Sequence, residues 1–348
     1  MRRCLSKFTR WSLSMETSKK TALLLINTGS PDQPTETSVR SYLAEFLGDQ
    51  RIVELPRWKW WPILHGIILR TRPKKSAARY NGVWTDEGSP LIVHTKHTAE
   101  KLTEHLGIPV YWGMRYGHPS VTEVMDQMMA DGVKRVLVMP MFAQYAAQTT
   151  AACFDAVARH VMTHRDSPAI RTIHDYHDEP AYIQAIVKQL RHYWDKNGAP
   201  MSVGGRLVMS FHGIPQKSSE LGDVYEAQCH KTASLIANEL GLDARDWTVC
   251  FQSRFGRDEW LQPYTLASVK ALAEEGTPRV DVICPGFAAD CLETIEEIDD
   301  ELRRTYMGAF RSDTFPTGEF HYIPALNESD FAIEAYEMIA RRELAGWL

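Results

Sequence analysis

The chain has 348 residues, 44% of them apolar and 24% charged, with a formal net charge of −5. At about 150 residues per domain that length allows two cores, and the balance excludes a disordered chain, a fibre and a protein-wide basic field able to hold nucleic acid. The six cysteines, Cys4, Cys153, Cys229, Cys250, Cys284 and Cys291, never form C-x-x-C, which argues against a zinc knuckle and a secreted disulfide framework and favours a reducing, cytoplasmic compartment.

In chain order, residues 1–20 hold six basic residues against Glu16 and lack the apolar core of a signal peptide. A flexible, dispensable basic tail is expected there, with Met15 as an alternative start. An apolar run at 23–31 (LLLINTGSP) reads as a buried strand feeding a loop. Residues 57–75 (RWKWWPILHGIILRTRPKK) carry six basic residues, three tryptophans and no acid, the composition of a segment that sits at a membrane interface or covers an apolar ligand; a surface helix with part of the core on one face is the plainer reading. Further strand-like runs follow at 110–117, 132–143, 207–215, 249–256 and 276–288, with amphipathic helical stretches at 97–105, 121–129, 225–240 and 265–273. From 290 to 301 (DCLETIEEIDDE) seven of twelve residues are acids. A last helical pattern covers 329–348, and no apolar run approaches the roughly 20 residues that span a bilayer.

Compared with itself, the chain repeats three elements in the same order. LLLINTGSP (23–31) aligns with LVMSFHGIP (207–215), VYWGMRYG (110–117) with VCFQSRFG (249–256), and GVKRVLVMPMFA (132–143) with GTPRVDVICPGFA (276–288) after one inserted residue. Three matches in register order indicate a tandem duplication. Strands alternating with helices predict parallel sheets with right-handed crossovers. The expected fold is therefore α/β: two similar doubly wound, Rossmann-like domains facing across a cleft, at 21–175 (with the segment 57–75) and 176–324 (with His212 and Glu293). Residues 325–348 form a closing helix able to return to the first domain.

Ligands of open α/β sheets bind beyond the carboxyl ends of the strands. There the halves differ: Thr28 aligns with His212, while Tyr145 and Gln148 fall near Asp290 and Glu293. His212, directly after a strand and before Gly213, is able to take a proton or ligate a metal; the plainer reading is a satisfied structural histidine. Glu293, Glu297 and Glu301 are four apart and line one face of a helix, either as a solvated acidic surface or as a ladder of oxygen donors for a divalent cation or protons. Arg115, Gln144, Tyr145 and Trp260 lie in loops after predicted strands, where flat walls and guanidinium groups suit a planar ligand with carboxylates. Neither G-x-G-x-x-G nor a P-loop is present, so a nucleotide cofactor is not expected.

These residues resemble ferrochelatase, the terminal enzyme of haem synthesis, over residues 21–330. The segment LVMSFHGIPQKSSELGDVY (207–225) is similar to the family signature, supported by LINTGSP (25–31), YNGVWTDEGSP (80–90), GMRYGHP (113–119), FQSRFGRDEWL (251–261) and PGFAADCLET (285–294). The resemblance implies insertion of Fe²⁺, as substrate, into protoporphyrin IX, with no tightly bound cofactor. It implies His212 and Glu293 as the catalytic, metal-facing pair and Glu297 and Glu301 as an outer acidic path. Thr28, Tyr80, Ser89, Arg115, Tyr145 and Trp260 become porphyrin contacts, with Arg70 or Arg72 on the propionates. It also turns 57–75 into a lid with peripheral contact to the inner face of the membrane. Two departures stand out. Many relatives read D-H-x-E where this chain has Asp290, Cys291, Leu292 and Glu293, and no cysteine follows Cys291, so no C-terminal [2Fe-2S] cluster is expected. The rival readings are another tetrapyrrole chelatase, using coproporphyrin, cobalt or nickel, and a non-catalytic haem- or metal-binding protein.

Overall fold

Alternation with period two sets the layers. In the computed structural model, which describes residues 20–256 and 258–348, β1 (Thr21–Gly29) sends Leu23 and Leu25 to one side and Ala22, Leu24 and Ile26 to the other, all fully buried. That is the pattern of a strand covered on both faces. The expected basic tail, apart from Lys20, lies outside the described residues.

β1 is an inner strand of a parallel sheet ordered β2-β1-β3-β4, with β2 at Val110–Tyr116, β3 at Arg135–Pro140 and β4 at Ala169–Thr172. A second parallel sheet repeats the order as β6-β5-β7-β8, from β5 (Arg206–His212), β6 (Trp247–Gln252), β7 (Arg279–Ile283) and β8 (Glu319–Ile323). The three self-matching segments thus occupy equivalent places, β1 with β5, β2 with β6 and β3 with β7. Two doubly wound α/β sheets, as the repeat predicts, are what the chain forms.

Helices fill the connections. In the first half these are α1 (Glu36–Gly48), α2 (Arg57–Ile63), α3 (Leu69–Val83), α4 (Pro90–Leu106), α5 (Val121–Ala130) and α6 (Ala152–Thr163). From residue 176 on they are α7 (Pro180–Asn197), α8 (Gln216–Glu220), α9 (Tyr225–Leu240), α10 (Thr265–Glu274), α11 (Leu292–Thr294), α12 (Arg303–Ala309) and α13 (Asp330–Glu343). Local signals explain several ends: Ser120 and Glu123 close a capping box on α5, and Gly107 ends α4 in the left-handed region at φ +69°.

Leu23 and Leu25 of β1 share one continuous core with Leu207, Met209 and Phe211 of β5, helices α7, α9 and α13 contributing to it. The outer faces have cores of their own, around Ile26 and Val138 in the first sheet and Val208 and Val282 in the second. α13 packs on α4 and α7, and Trp347 beyond it lies against Arg171 and accepts a hydrogen bond from Arg135.

The basic, Trp-rich segment folds as α2, a π-helical turn at Leu64–Ile68, and α3. Its underside, Leu64 and Leu69, joins Leu47 in a small core, and Trp60 Nε1 donates to Leu47 O at 2.6 Å. Its upper side leaves Trp58 75% and Ile67 60% exposed. The plainer reading, a surface helix with part of the core on one face, is what this segment forms.

Candidate active site

β5 ends at His212, and the chain turns at Gly213. A Cβ at position 213 would come within 2.9 Å of Gln252 O and 3.2 Å of Trp260 Cε3, so glycine is what lets the loops after β5 and β6 meet. His212 Nδ1 lies 2.7 Å from the Gly213 carbonyl oxygen. A carbonyl only accepts, so Nδ1 carries the proton and Nε2 presents its lone pair. Trp260 and Phe287 flank the imidazole, with ring centroids 6.3 and 6.4 Å away.

The loop after β7 is fixed by Asp290. This buried carboxylate accepts hydrogen bonds from Thr294 Oγ1 at 2.9 Å, Asn327 Nδ2 at 2.7 Å and the Tyr322 hydroxyl. Three residues on, the Glu293 carbonyl accepts from Gln252 Nε2 at 2.8 Å, and Gln252 Oε1 accepts from Ser210 Oγ at 2.7 Å. The ends of β5, β6 and β7 are thereby tied together beneath Glu293.

From Ile295 to Leu302 the chain is π-helical rather than α-helical. The wider turn, closed by i→i+5 hydrogen bonds, brings residues four and five apart to one side. Glu293, Glu296, Glu297 and Glu301 all line one cavity of about 550 Å³, faced from α3 by Arg72 and Arg79. Arg79 pairs with Glu296 and, at 3.6 Å, with Glu301. Glu297 accepts from Ser253 N at 2.8 Å and Ser253 Oγ at 2.6 Å. Burial, with a contribution from the Glu293 charge, holds the Glu297 carboxyl above the ordinary range, against the opposing pull of Ser253 and His212.

The first half faces this group with two phenols. Tyr42 and Tyr80 meet edge to face at 6.4 Å, and Tyr42 donates to Gly29 O at the end of β1. Burial raises both phenols far above their usual range, and Glu293 and Cys291 add to it, so both stay neutral. Burial and the Glu293 charge likewise keep the Cys291 thiol protonated.

The remaining sequence-predicted positions are spread more widely. Thr28 lies at the end of β1, and Ser89 is the buried N-cap of α4. Tyr145 stacks on His174 at 4.1 Å and donates its backbone N–H to Gln228. Arg72 lines the cavity with its guanidinium 4.1 Å from the Phe255 ring, whereas Arg70 is exposed on α3. Arg115 is committed elsewhere: it pairs with Asp49, donates to Ala152 O at 2.8 Å and lies against Tyr116. Sequence patterns did not single out Tyr42, Arg79, Gln252 or Ser253. Gln252 ends β6 and Ser253 follows it, within the segment FQSRFGRDEWL that carries the family resemblance, but neither was singled out.

A family model described as Ferrochelatase matches residues 20–344. The ferrochelatase of Aromatoleum aromaticum is 48% identical over 338 residues, 95% of this chain and 90% of that protein. That of Herminiimonas arsenicoxydans is 49% identical over 333 residues, 94% and 88% of the two chains. Among solved structures, the sirohydrochlorin chelatase SirB from Bacillus subtilis subspecies spizizenii in complex with cobalt superposes with a TM-score of 0.53 at 13% identity, covering 94% of this chain and 96% of that one. At that identity the likeness is one of fold.

Proposed function

The chain belongs to the ferrochelatase family, and from that premise we propose how its strand-end groups carry out the reaction. The protein is a lyase that inserts Fe²⁺ into protoporphyrin IX, releasing two protons and forming protohaem, the last step of haem biosynthesis. Iron stays ferrous, so the step needs no electron carrier.

The observation that supports the assignment is that Glu297, which lines one cavity with Glu293, is reached by the electrostatic influence of both Glu293 and His212. Two N–H protons must leave the macrocycle as the cation enters. His212 takes them at Nε2, its tautomer set by the Gly213 carbonyl. Glu293, from the loop after β7 of the same half, faces the metal, and Glu297 and Glu301 continue the carboxylate path along the π-helical stretch. An oxygen-rich route suits a hydrated divalent cation, and a buried carboxyl raised toward neutrality suits a proton in transit. A bent macrocycle turns its nitrogen lone pairs toward the metal. Trp260, Tyr80, Tyr145 and Thr28 act as walls that favour that shape, which is catalysis by preferential binding of the transition state. Arg72 is the propionate contact favoured by its place in the cavity. Residues 21–175 and 176–324 supply the two walls.

The exposed Trp58 and Ile67 beside a basic α3 support a peripheral contact of 57–75 with the inner face of the membrane. Among the described residues no helix is long and apolar enough to cross a membrane.

Anaerobic Fe²⁺ insertion, comparing wild type with His212→Ala and Glu293→Gln, tests the site. Each variant loses at least ~10²-fold in turnover, the range that general acid–base groups supply. Rates near wild type overturn the residue assignment, and turnover of coproporphyrin alone overturns the substrate.

A further inference from the structure

We propose that Asp126, His160 and His164 form a binding site for a borderline divalent cation such as Zn²⁺ or Co²⁺, separate from the groups that act on the porphyrin. Asp126 sits on α5 and His160 on α6, one turn before His164 at the helix C-cap. His164 has already left helical backbone, at φ −112° and ψ 143°, and its ring stacks on that of His160 with centroids 4.2 Å apart. In this pose both imidazoles turn Nε2 toward one oxygen. His160 Nε2 lies 2.8 Å and His164 Nε2 3.6 Å from Asp126 Oδ1.

Two donors on one Zn²⁺ at about 2.0–2.2 Å stand roughly 2.9–3.5 Å apart, between right-angled and tetrahedral arrangements. The observed separations bracket that span, so small side-chain shifts admit a cation. The tautomer of His164 agrees. Its Nδ1 lies 2.9 Å from the His160 carbonyl oxygen, so the proton sits on Nδ1 and Nε2 offers a lone pair. A bare nitrogen facing a carboxylate oxygen puts two lone pairs opposite each other, and a cation between them turns repulsion into ligation. The His160 ring is wholly buried, and its Nδ1 has no hydrogen-bond partner among the described residues. In the cation-free protein its proton therefore lies on Nε2, shared with Asp126, and ligation displaces it. One imidazole buried and two donors at the surface give a site that is anchored yet open to solvent.

The full-length protein is titrated with Co²⁺ without porphyrin, with bound metal measured by equilibrium dialysis and its visible absorption recorded. Co²⁺ also reaches the porphyrin site, so wild type is compared with His164→Ala and Asp126→Asn. In each variant one bound equivalent weakens by at least ~10-fold and its absorption band is lost, while porphyrin metallation stays within about twofold of wild type. Unchanged stoichiometry and affinity in either variant overturns the site and leaves a histidine–aspartate pair that shares protons only. Because metallation is read separately, failure here is distinct from failure of the porphyrin-site assignment.

Discussion

Ser253 gives Glu297 both of its polar hydrogens, the backbone N–H at 2.8 Å and the hydroxyl at 2.6 Å, from a left-handed backbone at φ +65°. Non-glycine residues seldom hold that conformation, and where they do the surroundings enforce it. Two donors and the nearby His212 pull the carboxyl down, yet burial and Glu293 prevail. The fold thus holds a carboxyl that is hydrogen-bonded as an anion but still binds a proton more tightly than a free glutamate.

That relationship sets the sign of a pH effect. The folded protein binds the Glu297 proton more tightly than the unfolded chain does, so this contribution to stability is full below the ordinary glutamate range and is lost as pH rises through the raised value. Glu297→Gln removes the loss. The melting temperature of the variant, less that of wild type, therefore climbs as pH rises from the ordinary glutamate range through the raised value. A difference that does not vary with pH shows that Glu297 is not the titrating group.

Gly213→Ala puts a methyl group against Gln252 O and Trp260. The loop after β6 has to give way, and Trp260 moves relative to His212. Turnover falls by about 10²-fold, as expected for a displacement of roughly 1 Å at a reacting group. Tryptophan fluorescence reports the shift independently, and unchanged turnover means that the loops have slack.

In the second sheet a buried ion pair carries weight. Arg279 donates to Asp281 from Nε at 2.7 Å, and Trp194 Nε1 donates to the same carboxylate at 2.8 Å. Asp281→Ala strands a buried guanidinium and costs about 3–5 kcal/mol in urea unfolding, whereas Trp194→Phe removes one donor and costs about 1–3 kcal/mol. Equal losses contradict the charge argument.

Trp58→Ser and Ile67→Ser remove exposed apolar surface from the segment 57–75 without touching its small core. Each lowers the partition onto anionic vesicles by roughly tenfold, in line with about 1.5–3 kcal/mol for burying such a side chain. Co-sedimentation measures it, and turnover on detergent-solubilised porphyrin stays unchanged. Equal sedimentation of all three proteins dissociates the segment 57–75 from the membrane.

The repeat was legible because a strand buried on both faces is a short apolar run, and three such runs recurred in order. His212 and Glu293 stood out in the sequence because each follows a repeated strand where its counterpart differs. The π-helical turn was not, since carboxylates four apart read equally well as α-helical; only the extra residue per turn sets Glu296 and Glu301 together on Arg79. Ser253 was illegible for another reason. Its partner is 44 positions away, and a positive φ outside glycine leaves no mark in composition. Motif spacing placed Arg115 at a strand end, but its partner Asp49, 66 positions distant, takes it inward.

The core that joins β1 to β5, with α13 lying across α4 and α7, has a mechanical meaning. Spreading the two halves apart would bring Leu23, Leu25, Leu207 and Met209 into water together, so burial of this shared core opposes such a hinge. On the proposed function, the two halves act as a fixed jaw that deforms the macrocycle, and α2 and α3 at the rim are left to admit and release it.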